Sequence, residues 1–184
     1  MHRKRKIVVN LALIAAALLT LLFLSGVHLT ADNAVRAAER GMHYGPSQTV
    51  YTLDSQGGRY YLGRYGRYCS VIQAERRYGL FWKGNGVSVL EREEDKPVQW
   101  TYYGRRRAAD EPMRTTYYGV RADSRTAEIR FRFHGGRTVT ITEFHDDLFL
   151  WQEEGDPQTV EEVEGFDREG NQLFRLDSFG NGIL

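Results

Sequence analysis

The 184-residue chain has one cysteine and four prolines. Cys69 alone cannot close an intramolecular disulfide, so the fold must stand on its core. No Gly-Lys-Ser/Thr, Gly-x-Ser-x-Gly, His-Glu-x-x-His or cysteine pair occurs, which removes the phosphate loop, the nucleophile elbow, the zincin helix and the zinc knuckle as readings. Nothing after Gly41 reads as a long helix, which favours an antiparallel β architecture over a parallel sheet. No catalytic residue, cofactor site or metal site is assigned from the sequence.

What is present begins at the N-terminus. Arg3, Lys4, Arg5 and Lys6 precede an apolar run from Ile7 to Leu24 that is broken only by Asn10 and Thr20. As a helix the run is about 27 Å long, close to the hydrocarbon thickness of a bilayer. Twelve of its eighteen residues are Leu, Ile, Val or Phe, which favours insertion by about 4–7 kcal/mol less the cost of Asn10. The flank from Ser25 to Asn33 has no Lys or Arg, so the positive-inside rule puts the N-terminus in the cytoplasm and the remainder outside. A cleaved signal peptide would have a shorter core and a small-x-small site. Leu29-Thr30-Ala31 is a poor match for one, so the expectation is an uncleaved anchor. Residues 1–6 are read as a basic tip, 7–29 as the transmembrane anchor, 30–45 as a short helix or stalk, and 46–184 as one extracytoplasmic β domain.

The net charge of +1 conceals blocks of opposite sign. Without its basic tip the chain is net negative. Within it, residues 59–83 carry Arg59, Arg64, Arg67, Arg76, Arg77 and Lys83 against Glu75 alone, and residues 143–169 carry eleven acids against Arg168. Such polarity can orient a domain at a charged surface, although plain solvated strand faces give the same pattern.

Thr30 to Gly41 reads as a helix with Thr30 or Asp32 as N-cap and Gly41 as the left-handed residue beyond its last turn. After Pro46 the composition turns β-branched and aromatic, with strands expected near 48–53, 59–65, 68–76, 80–83, 87–92, 98–103, 115–122, 127–133, 137–144, 148–152, 161–166 and 172–177. Asp54–Gly58, Gly84-Asn85-Gly86 and Asp167–Asn171 read as hairpin turns, and 93–97 and 105–112 as exposed loops, the second dividing two sub-sheets. Alternating strands with polar outer faces imply an antiparallel β-sandwich or open barrel.

One register follows from the pleat. Ile129, Phe131 and Phe133 occupy odd positions, as do Val139 and Ile141. A two-residue Gly135-Gly136 turn would put the two apolar rows on opposite faces. A three-residue loop, His134-Gly135-Gly136, pairs Phe131 with Val139 and Ile129 with Ile141 and leaves Arg130 and Arg132 on the wet side.

Candidate sites are few. His134 and His145 lie at opposite ends of that hairpin, about 26 Å apart, too far to share an ion. His145-Asp146-Asp147 and Asp167–Asn171 are accounted for by turn chemistry. Cys69 sits in an apolar strand as a small buried hydrophobe. Tyr60, Tyr61, Tyr65 and Tyr68 interleave with Arg59, Arg64 and Arg67, a pattern that suits single-stranded nucleic acid in the cytoplasm. Outside a membrane it suits anionic envelope polymers, lipid headgroups or sugars stacking on the Tyr rings, with packing on half-buried strands as the plain alternative, and nucleic acid is set aside. These seven residues are the candidate anionic-surface face. Leu80-Phe81-Trp82-Lys83, Trp100 and Trp151 are read as core.

The basic tip and spanning helix, the Leu80-Phe81-Trp82-Lys83 strand, Tyr118-Gly119-Val120 and the terminal Gly165–Phe174 hairpin together resemble small, single-pass, membrane-anchored bacterial proteins of unknown function. The resemblance implies a β-rich extracytoplasmic domain and supplies no active site. The function expected is a non-catalytic binding or scaffold module at the cell envelope, meeting an anionic polymer or a membrane-protein partner. The alternatives are an envelope hydrolase with an unrecognised site and a secreted β domain released by signal cleavage.

Overall fold

A computed structural model describes residues 2–55, 58–106, 110–178 and 180–182, leaving aside the side chains of residues 2–4, 15, 18, 19 and 23. The protein is mainly β, with antiparallel sheets and few helices. Helix α1 (His2–Leu24) and helix α2 (Ala31–Gly41) precede β1 (Gln48–Ser55), β2 (Gly58–Tyr65), β3 (Tyr68–Arg77), β4 (Phe81–Glu91), β5 (Val98–Arg105) and β6 (Arg114–Arg121). There follow β7 (Glu128–Phe133), β8 (Thr138–Ile141), β9 (Leu148–Glu154), β10 (Val160–Phe166) and β11 (Gln172–Asp177). Three sheets result, in the orders β1-β2-β3-β4, β11-β10-β7-β8 and β5-β6-β9.

The chain packs as two compact units. The first comprises residues 1–47, 52–61 and 72–87, and the second 48–51, 62–71 and 88–184. Within the first, Thr30 caps α2 by accepting from the Asn33 N–H at 3.2 Å, one of the donors a helix start leaves unpaired. The left-handed residue after the helix is His43, at φ 53°, rather than Gly41, which stays in the last turn. Nor is α2 a stalk. Ala31, Ala34 and Val35 are buried against Tyr61, Ile72 and Ala74, with Trp82 and Val87 at the margin.

That packing overturns the turn expected at Gly84-Asn85-Gly86, because one strand, β4, runs straight through it. A Cβ on Gly84 would lie 2.5 Å from the Ala34 carbonyl oxygen and 2.8 Å from the Ala38 Cβ. The glycine is there to let the helix backbone approach the strand. Asn85 then donates to the Glu75 carboxylate at 2.8 Å.

The second unit holds an aromatic core shared by two sheets. Ile129, Phe131, Phe133 and Val163 from one sheet meet Val98, Tyr117 and Phe149 from the other, and Trp100 and Trp151 pack against them. Phe131 lies 4.9 Å from Trp151 and 5.5 Å from Trp100, centroid to centroid. The β7–β8 register is the one the pleat requires: Ile129 pairs with Ile141, Phe131 with Val139, and Arg130 with Thr140. Gly135 and Gly136 both take positive φ in the three-residue loop. The 105–112 loop does not divide sheets, since β5 and β6 pair along their whole length.

Helix α1 ends at Leu24, five residues short of the expected anchor boundary. Gly26 turns left-handed at φ 69°, and His28 is committed to an antiparallel bridge with Trp82. Among the described residues no helix is long and apolar enough to cross a membrane. The side chains of Ala15, Leu18, Leu19 and Phe23, which belong to the expected span, lie outside the described residues.

Candidate functional site

Strand alternation and the two-unit packing separate the seven candidate residues. Arg59, Tyr60 and Tyr61 belong to the first unit, and Arg64, Tyr65, Arg67 and Tyr68 to the second. Arg59 grips Asp54 through two hydrogen bonds of 2.7 and 3.0 Å. Tyr60 and Tyr61 are buried, so their rings are closed to an outside ligand. The Tyr60 hydroxyl accepts from Gln73 at 2.9 Å, and the Tyr61 hydroxyl donates to Asp32 at 2.7 Å. Burial, reinforced by Asp32, pushes the Tyr61 hydroxyl up to about 12, which keeps it a neutral donor.

The four residues of the second unit behave differently. Arg64, Arg67 and Tyr68 line a cleft of about 830 Å³, with Cys69, Val120 and Leu148 among its lining. Tyr65 is exposed beside it on the strand. Arg67 pairs with Glu91 at 2.7 Å and remains two-thirds exposed, its guanidinium 5.6 Å from the Tyr68 ring. Arg92 completes the basic side and makes no ion pair among the described residues. Glu91, Glu93, Glu94 and Asp95 supply the opposite charge. Burial pushes the Cys69 thiol up to about 12, so it is no nucleophile at neutral pH. The cleft can therefore take a ligand with charges of both signs, and it offers an aromatic face and two arginines for an anion.

Arg64 contributes something the sequence pattern did not reveal. It pairs with Asp146 at 3.1 Å and also donates to the Asp146 carbonyl. Asp146 and Asp147 take φ of 50° and 65° in a two-residue turn closed by His145 and Leu148. Asp tolerates the left-handed region better than most side chains, but two such residues in a row usually include a glycine. This turn is held from outside: Arg121 pairs with Asp147 at 3.0 Å, and Tyr51 stacks on His145 at 3.8 Å. The His-Asp-Asp motif is thus a clamped corner, with each carboxylate committed to an arginine. Asp167 likewise accepts from the backbone of Glu169 and Asn171 within its turn. Among the described residues no three histidines, cysteines or carboxylates converge as a metal-binding group.

Arg130 and Arg132, the expected wet face of β7, are exposed but not idle. Arg132 and Arg175 both reach Glu162, whose side chain is buried beneath them. No protein family, curated protein or solved structure matches the chain.

Proposed function

We propose that the chain is a single-pass membrane protein whose β-rich portion lies outside the cytoplasm and serves as a non-catalytic docking module. The observation that carries this reading is the surface of α1. From Arg5 to Leu24 every described side chain is exposed except the half-buried Leu22, and the exposed set includes Ile7, Val8, Leu11, Leu13, Ile14 and Leu21. An apolar helix that no protein surface covers needs a lipid environment. Its polar groups suit one: Thr20 Oγ1 donates to the Ala16 carbonyl at 2.9 Å, so the hydroxyl is satisfied within the helix. Arg5 and Lys6 at the N-terminal end fit a cytoplasmic tip.

The cleft of the second unit is the docking site in this reading. Arg64 and Arg67 are already paired with carboxylates, while Arg92, Glu94 and Asp95 carry charge without an ion pair among the described residues. Free charge of both signs favours a protein segment as ligand. An anionic envelope polymer is the second reading, favoured by exposed Tyr65 and by two-thirds-exposed Arg67.

Reporter fusions after Leu184 test the topology. Alkaline phosphatase should be active there and a fluorescent protein dark. Cytoplasmic fluorescence without phosphatase activity would overturn the reading, and a mature N-terminus near Asp32 would establish cleavage instead. For the cleft, a photo-crosslinker at Tyr65 of the full chain in membranes should form a discrete adduct that Arg67→Glu with Arg92→Glu abolishes. Persistence of the adduct in that double variant would remove the cleft from the proposal.

A further inference from the structure

The membrane reading leaves a cluster in the first unit unexplained. At the tip of the β3–β4 hairpin, Tyr78 is 81% exposed and Leu80, expected in the core, is 77% exposed because it lies in the turn before the strand begins; Leu29 nearby is 75% exposed. Tyr78 also takes φ 50°, followed by Gly79 at φ 75°. A turn that needs left-handed backbone usually takes Asn, Asp or Gly, whose side chains cost little there and are at home in water. An aromatic ring in that conformation, fully presented to the outside, is not what hairpin stability selects.

The chain's connectivity ties this tip to the end of α1. His28 and Trp82 exchange both backbone hydrogen bonds at 2.7 Å. His28 is four positions after Leu24, at most about 14 Å of extended chain, and Leu80 is two positions before Trp82, about 7 Å along the strand. Because the bridge is antiparallel, Leu29 and Phe81 extend from it in the same direction, toward Leu80. The apolar cluster therefore lies within roughly two dozen ångströms of the point where the helix ends.

The charges flanking the tip in sequence are positive, with Asp54, paired with Arg59, the carboxylate that faces Arg76 from outside the hairpin. Arg76 and Arg77 precede it and Lys83 follows, all exposed, and Glu75, the carboxylate nearest in sequence, is buried and held by Arg77 and Asn85. The Arg76 guanidinium lies 5.0 Å over the Trp82 ring. Apart from α1, the first unit has six cations against four carboxylates, two of which, Glu39 and Glu75, are buried. Tyrosine, tryptophan and aliphatic tips with flanking Arg and Lys are the composition of a membrane interface: rings at headgroup depth, Leu below them, cations at lipid phosphates.

We infer that the β3–β4 hairpin tip, with Tyr78, Leu80 and Leu29, is a second membrane contact that inserts shallowly into the bilayer in which α1 is anchored. This rests on the anchor reading. A single flexible tether lets a domain swing; two contacts fix its face toward the bilayer and hold the first unit against lipid.

The test uses the full chain in phosphatidylglycerol-containing nanodiscs, with an environment-sensitive fluorophore on single introduced cysteines, Cys69 being buried and unlabelled. Labels go on Leu80→Cys, on Leu13→Cys in the helix, and on Arg125→Cys in an exposed turn. Nitroxide-bearing lipids should quench Leu80→Cys and Leu13→Cys several-fold more than Arg125→Cys. In a Lys83→Cys chain, Tyr78→Glu with Leu80→Glu should reduce quenching to the Arg125→Cys level. Quenching at position 13 but not at 80 overturns the hairpin inference while the anchor stands. Quenching at neither position overturns the anchor reading, and the inference with it.

Discussion

Gly84 of β4 lies directly beneath Ala34 of α2, close enough that a single added methyl would sit 2.5 Å from the Ala34 carbonyl oxygen. The contact fixes how near the helix backbone comes to the sheet. It also makes α2 part of the core over Tyr61, Ile72 and Ala74, so a truncation that begins after Gly41 would strip that cover.

Gly84→Ala should therefore destabilise the protein by about 1–3 kcal/mol, because neither backbone atom nor the Ala38 methyl can move away without lifting the helix. Gly41→Ala is the control. It meets nothing within 4 Å and lies in the last helical turn, where alanine should stabilise by up to about 1 kcal/mol. Denaturant unfolding of both variants in the full chain checks the opposite signs.

The aromatic core predicts a contrast between adjacent residues of β7. Phe131 is fully buried among Trp100, Phe149 and Trp151, so Phe131→Ala should cost about 3–5 kcal/mol. Arg130 is exposed, paired with Glu128 and stacked on Phe166, and Arg130→Ala should cost less than about 1 kcal/mol. Comparable losses from the two would contradict the register.

Cys69 should resist maleimide in the native state at pH 8 and react at once on unfolding, since burial holds its thiol at about 12. Mass spectrometry after timed labelling reads the difference. Rapid native labelling would mean that the floor of the cleft opens.

Tyr61 gives an alkaline signature. Its folded pKa of about 12 lies above the ordinary value of 10.0, so the native state holds the proton more tightly than the unfolded chain. The stability this contributes is whole below pH 10 and is lost as pH rises toward 12. Tyr61→Phe loses the bond to Asp32 and should be less stable at neutral pH by about 1 kcal/mol. That deficit should shrink between pH 10 and 12, read as converging denaturation midpoints.

Sequence alone carried the strands well wherever polar and apolar residues alternated, as in β7 and β8, whose register followed from the pleat and the length of one loop. It failed at Gly84-Asn85-Gly86, because glycine serves both turns and close approaches, and which one applies depends on a helix fifty residues earlier. Of the candidate face, Tyr65 is exposed and Arg64, Arg67 and Tyr68 line the cleft. The burial of Tyr60 and Tyr61 was not legible, since β2 and β3 are covered on both sides and lose the alternation that distinguishes a wet face. The roles of Arg64 and Arg121 at the Asp146-Asp147 corner were out of reach because both partners are remote in sequence.

The order β1-β2-β3-β4 has a kinetic consequence. Each strand of that sheet neighbours its immediate predecessor, and the connections are two or three residues long, so every pairing closes a short loop at small entropic cost. In contrast β10 must find β7 across the whole segment between Phe133 and Val160, and β9 must return to β6. During synthesis the meander next to α1 and α2 can zip up strand by strand as it emerges, while the aromatic core waits for β10. Folding then proceeds outward from the meander, and the last strands are added to a scaffold that is already paired.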